Sequence, residues 1–105
     1  TPLHIACQND NSDIVNLLID NDASIDCKNN NGWTPLYMAC QYGNINIVKI
    51  LLKHNANINI KTNDGGKTPL YIACQNNNKE LVQLLLEYKA NKYTKDENLN
   101  TPLHI

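Results

Sequence analysis

The tripeptide Thr-Pro-Leu occurs four times, beginning at Thr1, Thr34, Thr68 and Thr101, so successive copies stand 33, 34 and 33 residues apart. A fixed period of this length marks stacked supersecondary units, each of which buries its apolar face only against its neighbours. Such a chain builds an extended surface rather than an enclosed cleft. The period divides the sequence into copies at 1–33, 34–67 and 68–100 and a partial fourth at 101–105, read together as one domain.

Each copy predicts two helices. Thr suits the N-cap and Pro the first helical position, where a missing N–H costs nothing. Leu3, Ile5 and Ala6 then supply an inward face, matched by Leu36, Met38 and Ala39 and by Leu70, Ile72 and Ala73. Asp10, Gly43 and Asn77 are expected to stop this helix, because Asp, Gly and Asn accept a left-handed backbone. Asn11, Asn44 and Asn78 fall where a second helix needs its cap. Asp13 and Glu80 lie in the first turn, where the helix dipole favours negative charge. The runs at 14–19, 47–52 and 81–86 are apolar nearly all round, which predicts second helices sandwiched between neighbours. Ala23, Ala56 and Ala90 mark the exits, and polar Asn-, Asp- and Gly-rich turns or hairpins follow.

Composition narrows the function. Apolar residues reach 42 %, enough for a continuous core, and the net charge of −1 offers no electrostatic footprint for nucleic acid or a membrane surface. Arginine is absent, so no bidentate fork is available for guanine or phosphate. No stretch approaches the roughly 20 apolar residues of a membrane span. Three of the four cysteines, Cys7, Cys40 and Cys74, hold one place in successive copies. Neighbouring helices pack about 8–10 Å apart, too far for a disulfide, so these thiols are expected to stay reduced. That points to an intracellular setting, cytoplasmic or nuclear.

The segments TPLHIA (1–6), TPLYMA (34–39) and TPLYIA (68–73), with the apolar second-helix runs and the Ala-Ser-Ile-Asp and Ala-Asn-Ile-Asn that follow, resemble the ankyrin-repeat signature. The resemblance covers the whole chain. It implies an all-α solenoid of helix–loop–helix units joined by β-turn or hairpin loops, which binds a partner protein through hairpin tips and the concave face of the first helices. It also implies that His4 and His104 brace their turns by bonding to the motif Thr. Tyr37 and Tyr71 replace that histidine in two copies. Asp22, Asn55 and Lys89 replace the family's glycine at the second-helix exit. Leu99 stands where copy one has Gly32, and Lys92 where Ile25 and Ile58 would be buried. Copy two carries one extra residue within 63–67, which should lengthen a hairpin, and 89–100 is expected to be the least regular tract. Neither end carries a polar capping repeat, so the end faces are expected to favour chain-to-chain stacking.

Partner-binding candidates are residues that stacking does not dictate. Trp33 and Lys67 each precede a motif Thr, near a hairpin tip. Gln8 and Asn9, Gln41 and Tyr42, and Gln75 and Asn76 recur at the end of the first helix, on the side expected to face the hairpins. Large aromatics dominate interface hot spots, so Trp33 and Tyr42 lead. Trp33 equally suits packing against the next hairpin. No metal, cofactor or catalysis is expected. His4, His54 and His104 have no ligand spacing with the cysteines. Ser12 and Ser24 lie in no nucleophile elbow, and 64–67 lacks most of a phosphate loop. The expected function is protein–protein recognition, with a structural spacer in a longer array as the alternative.

Overall fold

The computed structural model describes residues 1–88, and among them run α1 (Pro2–Gln8), α2 (Ser12–Asp20), α3 (Pro35–Gln41), α4 (Ile45–Lys53), α5 (Pro69–Gln75) and α6 (Lys79–Glu87), with no strand. The expectations for Lys89, Ala90, Lys92, Leu99, His104 and the copy starting at Thr101 lie outside the described residues.

The first helix of each pair starts as its sequence dictates. The hydroxyls of Thr1, Thr34 and Thr68 each accept from the backbone N–H three residues on, at 3.2 Å. The cap therefore forms whether that residue is His4, Tyr37 or Tyr71. The helices stop at Asp10, Gly43 and Asn77, whose φ values are 56°, 69° and 56°. The next N–H reaches back to Ala6, Ala39 or Ala73 and satisfies a carbonyl left open at the helix end. Asp22 and Asn55, at φ 64° and 65°, close the second helices in the same way. Ala23 and Ala56 donate back to Leu18 and Leu51.

Each pair packs internally, and the pairs stack, α1 on α3, α3 on α5 and α2 on α4. Leu3, Leu36 and Leu70 form one buried file and Val15, Ile47, Val48, Leu51, Leu81 and Leu85 the other. Among the described residues, the middle pair is sandwiched between two others, as the apolar runs predicted. In α4, Ile47, Val48, Leu51 and Leu52 are all buried. In α2 only Val15 is fully buried, and in α6 only Leu81 and Leu85. Ile14, Leu17 and Leu86 are exposed, and so is Ile5, which the sequence placed inward. Residue type fixes which side is greasy; a neighbour on that side is still needed to bury it.

Asn44 also departs from expectation. Asn11 and Asn78 cap Ile14 and Leu81 through Oδ1. Asn44 makes no such bond. Its Nδ2 donates across the stack to the carbonyls of Cys7 (2.7 Å) and Gln8 (3.4 Å). It thus satisfies open carbonyls at the end of α1 instead of an N–H of its own helix.

The connecting loops are hydrogen-bonded turns. Asn29 N–H donates to the Trp33 carbonyl, and Thr62 N–H to that of Lys67, so the second loop is one residue longer, as the extra residue within 63–67 predicted. The loops are tied to one another. Asn63 N–H donates to the Asn31 carbonyl at 2.9 Å, and Asn57 N–H to the Asp26 carboxylate at 2.9 Å. Gly32 sits at this junction with φ 76°, and a Cβ there would lie 2.6 Å from the backbone nitrogen of Asn63.

Candidate functional site

The sequence candidates separate into two groups at opposite ends of the first helices. Seven helical residues span about 10 Å, so the groups do not merge into one patch. Gln8, Gln41 and Gln75 are the last residues of α1, α3 and α5, at the ends away from the motif Thr.

At the hairpin end, Trp33 is half-buried. Its ring meets Tyr37 at a centroid distance of 5.0 Å and a tilt of 53°, a favourable aromatic geometry. Its indole N–H donates to Asp64 in the next hairpin at 3.4 Å. Lys67 places Nζ 5.8 Å from the ring centroid of Tyr71, within cation–π range. Partial burial pushes the Asp64 carboxyl up, but hydrogen bonds from Thr62, Trp33 and its own backbone, with the charge of Lys67, hold it below the usual carboxylate range. Burial raises the Tyr37 phenol well above its ordinary value, and Asp64, Tyr71 and Cys40 add to this. Trp33 therefore packs against the next hairpin, as the alternative reading of it held, while keeping an accessible edge. The roles of Tyr37, Tyr71 and Asp64 escaped the sequence reading. The available signal was Tyr at the motif His position in two consecutive copies, beside a lengthened hairpin.

At the other end lies an uncharged row. Gln8, Asn9, Gln75 and Asn76 are exposed and Gln41 is half-buried. Tyr42 is 50 % exposed, and Gln8 Nε2 donates to its hydroxyl at 3.4 Å, which links the first two pairs. Asn76 Nδ2 donates to the Gln41 carbonyl at 3.3 Å, which links the second and third. Two of the amides are thus spent partly on holding the row together. The remaining donors and acceptors face outward around one large aromatic.

The titratable groups elsewhere have structural work. His4 Nε2 lies 2.7 Å from the Trp33 carbonyl, which can only accept, so Nε2 carries the proton. Nδ1 then accepts from the Thr1 hydroxyl at 2.7 Å, the brace that the resemblance implied. Burial lowers the pKa of His4, with smaller opposing contributions from the Trp33 and Cys27 backbones. His54 caps α4 and bonds to the Ile50 carbonyl. All four thiols are free. Burial pushes Cys7 up to about 12 and also raises Cys40 and Cys74, so none of these three is poised as a thiolate. Among the described residues no group of three His, Cys, Asp or Glu side chains is placed to hold a metal ion, and no helix is long and apolar enough to cross a membrane.

Two family models match the sequence, one for ankyrin repeats in three copies over residues 1–62 and one for ankyrin repeats in many copies over residues 39–86. The chain belongs to the ankyrin-repeat family. A search of curated proteins found no match to it. Ankyrin repeats are in general protein–protein interaction modules and typically carry no catalysis. In this ankyrin chain the motif Thr caps, the left-handed helix stops and the stacked helix pairs all take the family's form. Two of its departures from the family pattern, Tyr37 and Tyr71 in place of His, lie at the hairpin end, Tyr37 against Trp33 and Tyr71 beside Lys67.

Proposed function

We propose that this ankyrin segment holds a partner protein on the strip that runs from Gln8 and Asn9 through Gln41 and Tyr42 to Gln75 and Asn76, flanked by Trp33 and Lys67 at the hairpins. The observation that carries the reading is the half-exposed Tyr42 ring in a row of uncharged amides. An aromatic anchor among adaptable hydrogen-bonding groups is the composition of an interface centre. The row offers no charge to steer a polyanion, and the partner chemistry it fits is a neutral polar protein surface that presents backbone amides and an apolar recess for the ring. Free thiols throughout suit a reducing compartment, cytoplasm or nucleus.

The test uses the chain as bait, followed by calorimetric titration of the purified partner. Tyr42→Ala is expected to weaken binding by about 2 kcal/mol or more, roughly 30-fold, with unchanged thermal stability. Trp33→Ala is expected to weaken it less and to lose some stability, because its ring also joins two hairpins. Unchanged affinity in both variants removes this strip as the contact and favours the role of a spacer in a longer array.

A further inference from the structure

We propose that Asn31 is a site of spontaneous deamidation, and that the bonds between the first two connecting loops decide when it reacts. Contact between the loops keeps the residue intact. Separation of the loops releases it, and the isoaspartate product cannot rejoin them. This site is separate from the Tyr42 strip.

The chain carries one Asn-Gly pair, Asn31-Gly32. In such a pair the backbone nitrogen of the glycine can approach the preceding side-chain carbonyl, because no Cβ shields it. The Gly32 nitrogen gives up its proton to water and bonds to Cγ of Asn31. The bond from Cγ to Nδ2 breaks and ammonia leaves, which closes a cyclic imide. Water then opens the imide at either carbonyl. One opening leaves an ordinary aspartate; the other leaves an isoaspartate, in which the main chain runs through the β-carbon. Water is the sole co-reactant, and nothing is oxidised or reduced.

Ring closure requires the peptide group between Asn31 and Gly32 to swing about the Cα–C bond of Asn31. That group is planar and turns as one unit. Both of its polar ends are held. The Asn31 carbonyl accepts from the Asn63 N–H of the second loop at 2.9 Å, and the Gly32 N–H donates to the Asn29 carbonyl, also at 2.9 Å. The swing breaks both bonds at once. A further bond, from the Asn57 N–H to the Asp26 carboxylate, holds the same two loops together. The lock on Asn31 thus lies partly in the neighbouring repeat. The one Asp-Gly pair, Asp64-Gly65, differs. Partial burial pushes its carboxyl up, but hydrogen bonds from Thr62 and Trp33 hold it below the usual range. It stays ionised, and a carboxylate resists attack by a nitrogen. In the isoaspartate product the carbonyl ahead of Gly32 is displaced by one methylene, so its bond to Asn63 cannot re-form in register. The release runs one way.

The test incubates the 105-residue chain at mildly alkaline pH, both folded and unfolded in guanidinium chloride. A lysine-specific protease, used in mild acid, frees the fragment 29–49, in which mass spectrometry follows conversion at Asn31. Two broken bonds predict a folded-state rate about 5- to 150-fold below the unfolded one. Below the unfolding transition the folded rate should not respond to guanidinium, because the loops part without global unfolding. Asp26→Ala leaves the reacting pair alone and should speed the folded chain by about threefold or more. In the separated isoaspartate product the Asn63 N–H should exchange with solvent faster than in the intact chain. Equal rates in the folded and unfolded chains overturn the proposal. So does a folded rate that climbs with guanidinium in step with global unfolding, or one indifferent to Asp26→Ala, or an Asn63 N–H as protected in the product as before. Circular dichroism checks that Asp26→Ala folds; if it does not, the guanidinium series on the unaltered chain decides.

Discussion

Gly32→Ala separates the two demands placed on one hairpin residue. The first demand is conformational. Gly32 has φ 76°, and an L-residue held there costs about 1–2 kcal/mol. The second is spatial. The new methyl would stand 2.6 Å from both the backbone nitrogen and the side chain of Asn63. Backbone cannot rotate out of the way as a side-chain tip can, so the two hairpins must part. That loses the Asn63 N–H to Asn31 bond, worth about 0.5–1.5 kcal/mol net. The total comes to about 1.5–3.5 kcal/mol, a fall in Tm of roughly 6–28 °C for a chain of this size. Gly43→Ala is the control. Its φ of 69° imposes the same conformational demand, but a Cβ there meets nothing closer than 3.6 Å. It should cost only the first component, about 1–2 kcal/mol. Urea and thermal denaturation followed by circular dichroism measure both variants. If the two losses agree within about 0.5 kcal/mol, hairpin contact contributes nothing measurable and the reasoning fails.

Two further outcomes follow from burial. Leu51→Ala removes a fully buried side chain from the sandwiched helix and should cost about 2–5 kcal/mol, whereas Leu17→Ala at an exposed position should change urea stability by less than about 1 kcal/mol. Stability should also decline in alkali: the Cys7 thiol ionises near its usual 9.0 in the unfolded chain but only at about 12 when folded, so above pH 9 the unfolded state sheds a proton that the native state keeps. Cys7 alone then removes on the order of 1 kcal/mol by pH 10; urea midpoints measured at several pH values for Cys7→Ala against wild type read this out as a flatter alkaline limb.

What the sequence revealed was local in origin. Thr34 and Asn77 act through their own backbone neighbours, so a cap and a stop are visible in a few residues of text. The fate of Asn44 was not visible, because its amide chooses between its own helix and carbonyls 36 and 37 residues earlier, and only the stack decides. Ile5 and Met38 read alike as apolar first-helix residues, yet one is exposed and the other is buried under the preceding pair. Trp33 was placed correctly at a hairpin, but its bond to Asp64 depends on how the longer second loop is shaped. Of the strip, Tyr42 could be placed as exposed from its position alone. The Gln8 link to its hydroxyl required the helix spacing.

The backbone bond from Asn63 to Asn31 and the carboxylate of Asp26 beneath Asn57 bear on how such a molecule gives way. Both clasps join the same two loops, so a pull on either loop is shared between them. Failure at this junction should therefore come as one release, the two bonds giving way together.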